Sequence, residues 1–283
     1  MTGPAPLPFR VSIIEYLNAA PLNFGFKRGL GGELFEMKFH VPSVCADRLR
    51  SGEVDAALVS SIEYLRIPDL KIVPGLCIAS PKRVRSVLLM SKVPTEQIRT
   101  VALDTSSRSS VALVQILLRE RYGLAPQVKD MAPNLPAMLE HCDAAVPAML
   151  EHCDAAVMIG DGAMRASKEG LLVMDLAEEW HAWTGLPFVF ALWTVRNGAP
   201  ELPTPGGVGP FFHRSLEMGR ANLDVLVEEA RRSVGWTAGE LREYFTENIS
   251  YSLGAQEREG LALFYQKAVR HGLAPEEKAL SFL

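Results

Sequence analysis

The sequence predicts an α/β protein with two lobes, each built on a mixed, mostly parallel β-sheet. Short apolar runs typical of buried strands alternate with amphipathic helical patterns, which is the order found in α/β folds. The 283 residues are enough for two cores of ordinary size. Residues 94–190 form a separate block of such units. We therefore assign 1–93 and 191–283 to one lobe and 94–190 to an inserted second lobe, with two connections acting as a hinge.

The first lobe contains five strand patterns and two short helices. Strands are predicted at 9–14, 35–41, 54–60, 70–79 and 85–91. Residues 16–22 read as a loop that enters a short helix. Ser43 is predicted as the N-cap of a helix that ends near Gly52.

Strand and helix patterns also continue through the inserted lobe and the tail. Strands are predicted at 100–103, 155–160 and 171–176. A helix over 111–122 has one apolar face and ends at Gly123. A strand ending at Trp193 leads back to the first lobe, and Thr237 with Glu240 forms a capping box. Helices of the tail are predicted at 214–232, 237–247 and 255–271.

An exact tandem copy interrupts the second lobe. Residues 136–146 and 147–157 both read PAMLEHCDAAV. Eleven residues are too few for a solenoid repeat, so we interpret the copy as a recent duplication or a sequence artefact. Pro147 would break a continuous helix. The second D-A-A-V is predicted to form the strand that reaches Asp161, and the first copy is predicted as helix plus a surface bulge.

Composition excludes several classes of function. The formal net charge is −4 without a basic stripe, which argues against nucleic acid or an anionic membrane as partner. No secretory signal and no window of about 20 apolar residues is found, so we expect a cytoplasmic protein. The four cysteines form no C-x-x-C pair, no H-E-x-x-H occurs, and nucleotide-binding glycine loops are absent. We therefore expect reduced thiols, no metal and no cofactor.

A run of hydroxyl side chains precedes the helix of the second lobe. In D104-T-S-S-R-S-S110, Thr105, Ser106, Ser107 and Ser109 surround a single arginine. Unpaired N–H groups and the macrodipole at a helix N-terminus attract anions. A plain N-cap requires only one hydroxyl. The run therefore favours a carboxylate or phosphate site.

Polar residues also stand at the ends of predicted strands in the first lobe. Tyr16 and Asn18 follow the first strand, and Ser60 and Ser61 follow a buried one. Ligands of open α/β sheets bind at the carboxyl ends of strands. An asparagine can orient a hydroxyl or a carboxylate. Turn formation by Asn18 and helix capping by the serines remain open alternatives.

Two further pairs complete the candidate set. Arg85 and Ser86 begin one strand, and Gly160 and Asp161 end another. The guanidinium of Arg85 suits an acidic ligand, although a surface charge beside the sheet is the alternative. Asp161 either holds a ligand hydroxyl or caps the next helix.

These segments together resemble the chorismate dehydratase family of menaquinone biosynthesis. The resemblance covers about residues 9 to 270, and D-T-S-S-R-S-S-V-A-L is its most specific part. It implies a type II periplasmic-binding-protein-like fold used for catalysis. The tandem copy is a departure from the family. The resemblance rests on Y16-L-N-A-A-P-L22, G52-E-V-D-A-A-L-V-S-S-I-E-Y64, V84-R-S-V-L-L89, A102-L-D-T-S-S-R-S-S-V-A-L113, I159-G-D161 and residues 178–193.

The resemblance implies conversion of chorismate to 3-[(1-carboxyvinyl)oxy]benzoate with loss of water, without a cofactor. We expect Asn18 and Ser86 to position the reacting ring while a carboxylate of the substrate helps to take the proton. Thr105, Ser107 and Ser109 are expected to hold a carboxylate. Chorismate is then the small dicarboxylate partner, and the chain is a monomer or weak homodimer. The remaining expected substrate contacts are Tyr16, Ser60, Ser61, Arg85, Ser106, Gly160 and Asp161.

Three other functions remain open from the sequence. A solute-binding protein would share the fold, since fold alone does not decide function. The sister family, which makes 1,4-dihydroxy-6-naphthoate, resembles the serine-rich segment less. A ligand-sensing regulator would normally carry a helix-turn-helix, and no such pattern is seen.

Overall fold

A computed structural model describes residues 8–131, 150 and 152–283. Within them the chain forms two β-sheets surrounded by helices. The first sheet has the order β11-β4-β10-β3-β1-β2, and the second has the order β7-β6-β8-β5-β9. The strands are β1 Phe9–Ile14, β2 Phe35–His40, β3 Ala56–Ser60, β4 Leu70–Ser80, β5 Val87–Ser91, β6 Thr100–Asp104, β7 Gln127–Met131, β8 Ala155–Ile159, β9 Leu172–Asp175, β10 Phe188–Arg196 and β11 Ser250–Ser252.

The helices cover the faces of both sheets. Their bounds are α1 Ala20–Lys27, α2 Pro42–Ser51, α3 Glu63–Arg66, α4 Arg108–Ile116, α5 Gly160–Arg165, α6 Leu176–Thr184, α7 Gly209–Ala221, α8 Leu223–Val234, α9 Ala238–Glu243 and α10 Ala255–Arg270. A 3₁₀ turn at Leu17–Ala19 precedes α1, and π-helical turns at Leu117–Arg121 and Tyr244–Asn248 extend α4 and α9.

Both sheets are mixed, as predicted. In the first, β1 pairs parallel with β2 and β3, and β10 pairs antiparallel with β3 and β4. The strands β1, β2, β3 and β4 therefore run in one direction. In the second, β6 pairs parallel with β7 and β8, while β5 pairs antiparallel with β8 and β9. There β6, β7, β8 and β9 share one direction.

The sheets define where the chain crosses between lobes. Because β4 lies in the first sheet and β5 in the second, the first crossing occurs between Ser80 and Val87. This corrects the predicted boundary near residue 94, since β5 pairs with β8 and β9 of the inserted lobe. The chain returns between Thr184 and Phe188, close to the predicted boundary at 190.

Two helix predictions need correction. Ser43 is not an N-cap, because α2 begins at Pro42 after the extended residue Val41, and proline at the first position already has a helical φ. The single helix predicted over 214–232 is two helices, since the backbone of Asn222 leaves the helical conformation.

The second unit of the tandem copy contributes to a strand, as predicted. β8 spans Ala155–Ile159 and pairs in register with β5, with Val87 opposite Ile159. The first copy, 136–146, lies outside the described residues. This strand is fully buried.

The main core is continuous across the first sheet, its helices and parts of the second sheet. Its largest fully buried side chains include Trp180, Trp193, Tyr64 and Tyr244. Of the cysteines in the described ranges, Cys45, Cys77 and Cys153 are buried and free; Cys142 lies outside. No helix in the described part of the chain is both long and apolar enough to cross a bilayer.

Candidate functional site

A small cavity lies between the two sheets, at the carboxyl ends of β1, β3 and β8. Its volume is about 30 Å³, roughly that of one water molecule. Carboxyl ends of strands are where open α/β sheets bind ligands. The described lining residues are Ile14, Tyr16, Asn18, Pro42, Ser60, Ile78, Val87, Ser107, Ser110, Ile159, Gly160, Phe190 and Ala191.

Asn18 lines this cavity and carries a hydrogen-bond acceptor that no protein group uses. It lies in the 3₁₀ turn that follows β1, and its Oδ1 atom is buried without a hydrogen-bond partner. A buried polar atom without a partner costs free energy unless a ligand or water supplies one. The amide is therefore poised to accept a hydrogen bond from a bound molecule.

The N-terminus of α4 forms the opposite wall. Ser107 is its N-cap, and the hydroxyl of Ser107 accepts from the Ser110 N–H at 3.4 Å and donates to the Ser110 hydroxyl at 2.9 Å. Both serines line the cavity. Ser110 was not among the predicted site residues, although it belongs to the same hydroxyl run. The wall thus combines hydroxyls with the positive end of a helix.

Arg108 points away from the cavity, towards the first lobe. Its guanidinium donates to Glu63 at 2.9 Å and to Asp47 at 2.8 Å. All described residues that line the cavity are uncharged. An anion in it would therefore meet amide and hydroxyl dipoles instead of a cation.

Ser106 and Asp161 connect the lobes at the edge of the cavity. The Tyr16 hydroxyl donates to Ser106 at 3.2 Å, and the Leu17 N–H donates to the Asp161 carboxylate at 2.9 Å. Burial raises the pKa of Asp161. Both predicted ligand contacts are thus occupied by protein partners in this closed arrangement.

Two more predicted contacts also pair with each other across the lobes. Ser61 and Ser109 are fully buried, with hydroxyls 3.0 Å apart. Neither is among the described lining residues of the cavity. Thr105 is exposed and is likewise absent from that set. The structure therefore places Ser107, rather than Thr105 or Ser109, against the cavity.

Gly160 allows the two lobes to approach closely. Its φ is +56°, and a Cβ there would lie 2.9 Å from the ring of Tyr16. The Gly160 N–H also donates to the Ser86 carbonyl at 2.7 Å. Only glycine combines this backbone conformation with such close packing.

Ser86 lies behind the cavity wall at the first crossing. It is fully buried, and its hydroxyl is 2.8 Å from that of Tyr244. Its neighbour Val87 lines the cavity. Tyr244 was not predicted, because nothing in the local sequence of the tail indicates that it approaches residue 86.

Arg85 has protein partners in place of the predicted ligand. Its guanidinium donates to Glu240 at 3.1 Å, lies 3.7 Å from Glu243 and stacks 4.2 Å from the ring centre of Trp236. Its φ is +61°, and its N–H donates to Asp175 at 2.6 Å. Arg85 therefore fastens the crossing to α9.

Two larger cavities lie elsewhere. One of about 500 Å³ opens beside Pro81, Arg220 and Tyr251, and one of about 590 Å³ lies around the loop that follows β10. Neither lies at the strand ends where the candidate residues converge. In the described residues no cluster of three His, Cys, Asp or Glu side chains suits a metal ion.

Comparison with known proteins gives consistent matches. A family model described as menaquinone biosynthesis matches residues 9–270. The chain is 30% identical over 275 residues to a chorismate dehydratase of Thermus thermophilus, covering 91% of this chain and 94% of that protein. A chorismate dehydratase of Campylobacter jejuni is 32% identical over 184 residues, or 63% of each chain.

Solved structures share the architecture. A protein of Archaeoglobus fulgidus superposes with a TM-score of 0.70 at 16% identity, covering 93% of this chain and 97% of its own. The periplasmic aliphatic sulphonate binding protein of Escherichia coli gives a TM-score of 0.61 at 12% identity, covering 99% and 94%. These likenesses show a periplasmic-binding-protein-like fold, as predicted.

Proposed function

The chain belongs to the menaquinone biosynthesis family, and from this membership we propose that it is a chorismate dehydratase, a hydro-lyase that converts chorismate to 3-[(1-carboxyvinyl)oxy]benzoate and water. The observation that carries the proposal is the 30% identity to a chorismate dehydratase over 91% of this chain, within a family match that spans residues 9–270. The interlobe cavity, with the free Asn18 acceptor and the α4 N-terminus, supports it as the place of reaction.

For this reaction the protein needs mainly to orient the substrate. A ring C–H bond and the ring C–O bond of the hydroxyl break, the C–H electron pair becomes a ring double bond, and hydroxide leaves with a proton as water. The ring becomes aromatic, which supplies a large driving force. A carboxylate of the substrate helps to take the ring proton, so an enzyme that fixes the geometry is sufficient.

Some of the candidate residues hold the substrate carboxylate, and others orient the reacting ring. Ser107, Ser110 and the N–H groups of α4 hold a carboxylate from the second lobe. Asn18 accepts a hydrogen bond from the substrate hydroxyl at the first lobe. Ser86, at the crossing between lobes, orients the ring. No step requires a charged side chain in the cavity.

Substrate entry requires the lobes to separate. A cavity of about 30 Å³ is much smaller than the roughly 300 Å³ of an ordinary ligand pocket. We therefore interpret the described arrangement as a closed form, in which opening about the two crossings would admit chorismate. Closure then excludes water from the reacting ring.

Incubation of purified protein with chorismate tests the proposal. We expect catalytic formation of a product lighter by the mass of one water, identified by mass spectrometry. Stoichiometric binding without product would instead identify a solute-binding protein. Turnover only of a cyclic futalosine-type substrate would identify the sister 1,4-dihydroxy-6-naphthoate synthase.

A further inference from the structure

The Tyr244 hydroxyl is the hydrogen-bond partner of Ser86. The two oxygen atoms are 2.8 Å apart, and both side chains are fully buried. The residues are 158 positions apart in sequence, so the contact joins the first crossing to the tail. Nothing in the reaction described above yet uses Tyr244.

A pair of hydroxyls leaves one proton to donate elsewhere. Each hydroxyl has one donor, and a single hydrogen bond between them uses only one of the two. A phenol is a stronger donor than an aliphatic alcohol, which favours donation from Tyr244 to Ser86. The Ser86 proton is then left for a ligand in the cavity, which is lined by the next residue, Val87, and by Gly160, whose N–H donates to the Ser86 carbonyl.

The electrostatic surroundings keep Tyr244 a donor. Burial raises the pKa of the Tyr244 phenol, and the nearby Asp161 and Asp175 carboxylates raise it further. The hydroxyl therefore stays protonated across the physiological range.

The tail holds Tyr244 firmly in this position. The π-helical turn that begins at Tyr244 follows α9, and such turns often occur at functional sites. Trp236 packs edge-on against the Tyr244 ring at 5.7 Å. Arg85, next to Ser86 in sequence, lies over Trp236 and donates to Glu240 of α9. The segments that carry the two hydroxyls are thus fastened to each other.

We propose that Tyr244 is a positioning residue for dehydration, which directs the Ser86 hydroxyl as a donor towards the reacting ring of the substrate. This inference rests on the proposed function, because Ser86 has a catalytic role only if chorismate is dehydrated. Tyr244 itself does not touch the substrate.

A double-mutant cycle of Tyr244→Phe and Ser86→Ala tests it. Tyr244→Phe keeps the ring and its packing and removes the hydroxyl. Loss of one neutral hydrogen bond predicts about a 5- to 10-fold lower kcat with KM changed less than about 2-fold. In the Ser86→Ala background the same change is expected to alter kcat by less than about 2-fold, because its target is gone.

Tyr251→Phe is the matched control. Tyr251 is equally buried, but its hydroxyl has no hydrogen-bond partner. We expect its removal to leave kcat unchanged. Rates are measured with enzyme in excess, so that slow variants still give a rate, and at a temperature where circular dichroism shows every variant to be folded.

The outcomes distinguish failure of the inference on Tyr244 from failure of the proposed function. An equal loss of kcat in both backgrounds means a general structural role and overturns the inference, as does an unaffected Tyr244→Phe enzyme. Wild-type protein that does not dehydrate chorismate overturns the proposed function first, and the inference with it.

Discussion

At the scale of single residues, the proposed site depends on polar atoms that have no protein partner. Asn18 is the clearest, because its Oδ1 is buried and unpaired and the residue lines the cavity. Arg108 and Arg85 show the reverse. Arg85 was predicted to bind an acidic ligand, and Arg108 is the single cation of the hydroxyl run, but both are engaged by acids of the protein.

Replacement of Asn18 by alanine is predicted to lower the rate of chorismate dehydration by about 100-fold, since a misplaced reactive ring costs about that much. The free energy of unfolding is expected to change little, because no protein hydrogen bond to Oδ1 is lost. Steady-state kinetics checks this. Asn197→Ala, at an exposed position outside the cavity, is the control, and an Asn18→Ala enzyme with the wild-type rate removes Asn18 from the mechanism.

Gly160→Ala is predicted to abolish the closed form. Its Cβ would lie 2.9 Å from the Tyr16 ring, in addition to a strain of about 1 kcal/mol from the positive φ. Gly170→Ala is a matched control, since Gly170 also has a positive φ but no atom within 4 Å of the added Cβ.

We expect both glycine variants to lose stability in thermal unfolding, and Gly160→Ala to lose more because of the added contact with Tyr16. Only Gly160→Ala should weaken turnover, by about 10-fold or more if the lobes stand apart. Equal activity of the two variants would contradict the role of this contact.

Candidate site residues could be predicted from the sequence only where a local pattern exists. Asn18, Ser60, Ser107 and Gly160 follow strand ends or precede a helix, and all four line the cavity. Tyr244 could not be found this way, because its contact with residue 86 is created by the fold of the tail.

At the scale of elements, α9 links the tail to the crossing. Thr237 accepts from the Glu240 N–H at 3.3 Å, and Glu240 accepts from the Thr237 N–H at 2.9 Å, which confirms the predicted capping box. The same glutamate accepts from Arg85. A helix of only six residues depends strongly on such a cap.

Thr237→Ala is therefore predicted to lower the free energy of unfolding by about 1 kcal/mol. Chemical denaturation measures this. Thr246→Ala is the control, because Thr246 is an exposed residue whose hydroxyl only donates back to the Arg242 carbonyl, a contact of little net value. A stability loss no larger than that of the control would contradict the role of the cap.

Element types were predictable, whereas some boundaries were not. The bounds of β1 agree with its apolar pattern residue for residue. The break at Asn222 has no proline to announce it, and it coincides with the close approach of Gly219 to Pro21, where a Cβ would lie 2.3 Å from the carbonyl oxygen. The 3.6-residue period of the sequence therefore does not predict where this helix ends.

At the scale of the whole molecule, the lobes are joined by contacts that must break when the cavity opens. The buried Glu63 carboxylate is shared between Arg50 and Arg66 of its own lobe and Arg108 of the other. Tyr16, Leu17 and Ser61 add hydrogen bonds across the same boundary. The two-lobed order was predictable from the sequence, but the membership of β5 was not, since antiparallel pairing over a distance leaves no local pattern.

Arg108→Ala is predicted to raise KM for chorismate about 5-fold, because a partly buried ion pair that favours closure contributes on the order of 1 kcal/mol. Arg50→Ala is the control, since Arg50 pairs with Glu63 and Asp47 within the first lobe. We expect that control to change stability but not KM. The same increase of KM in both variants would show that Arg108 acts only through the stability of the fold.

The most direct test of the central claim is a crystal structure with bound 3-[(1-carboxyvinyl)oxy]benzoate. We expect the product to bind between the lobes, with a carboxylate at Ser107 and Ser110 and the ring beside Asn18 and Gly160. Product bound instead in the cavity beside Pro81 and Tyr251, with the interlobe cavity unchanged, would contradict it.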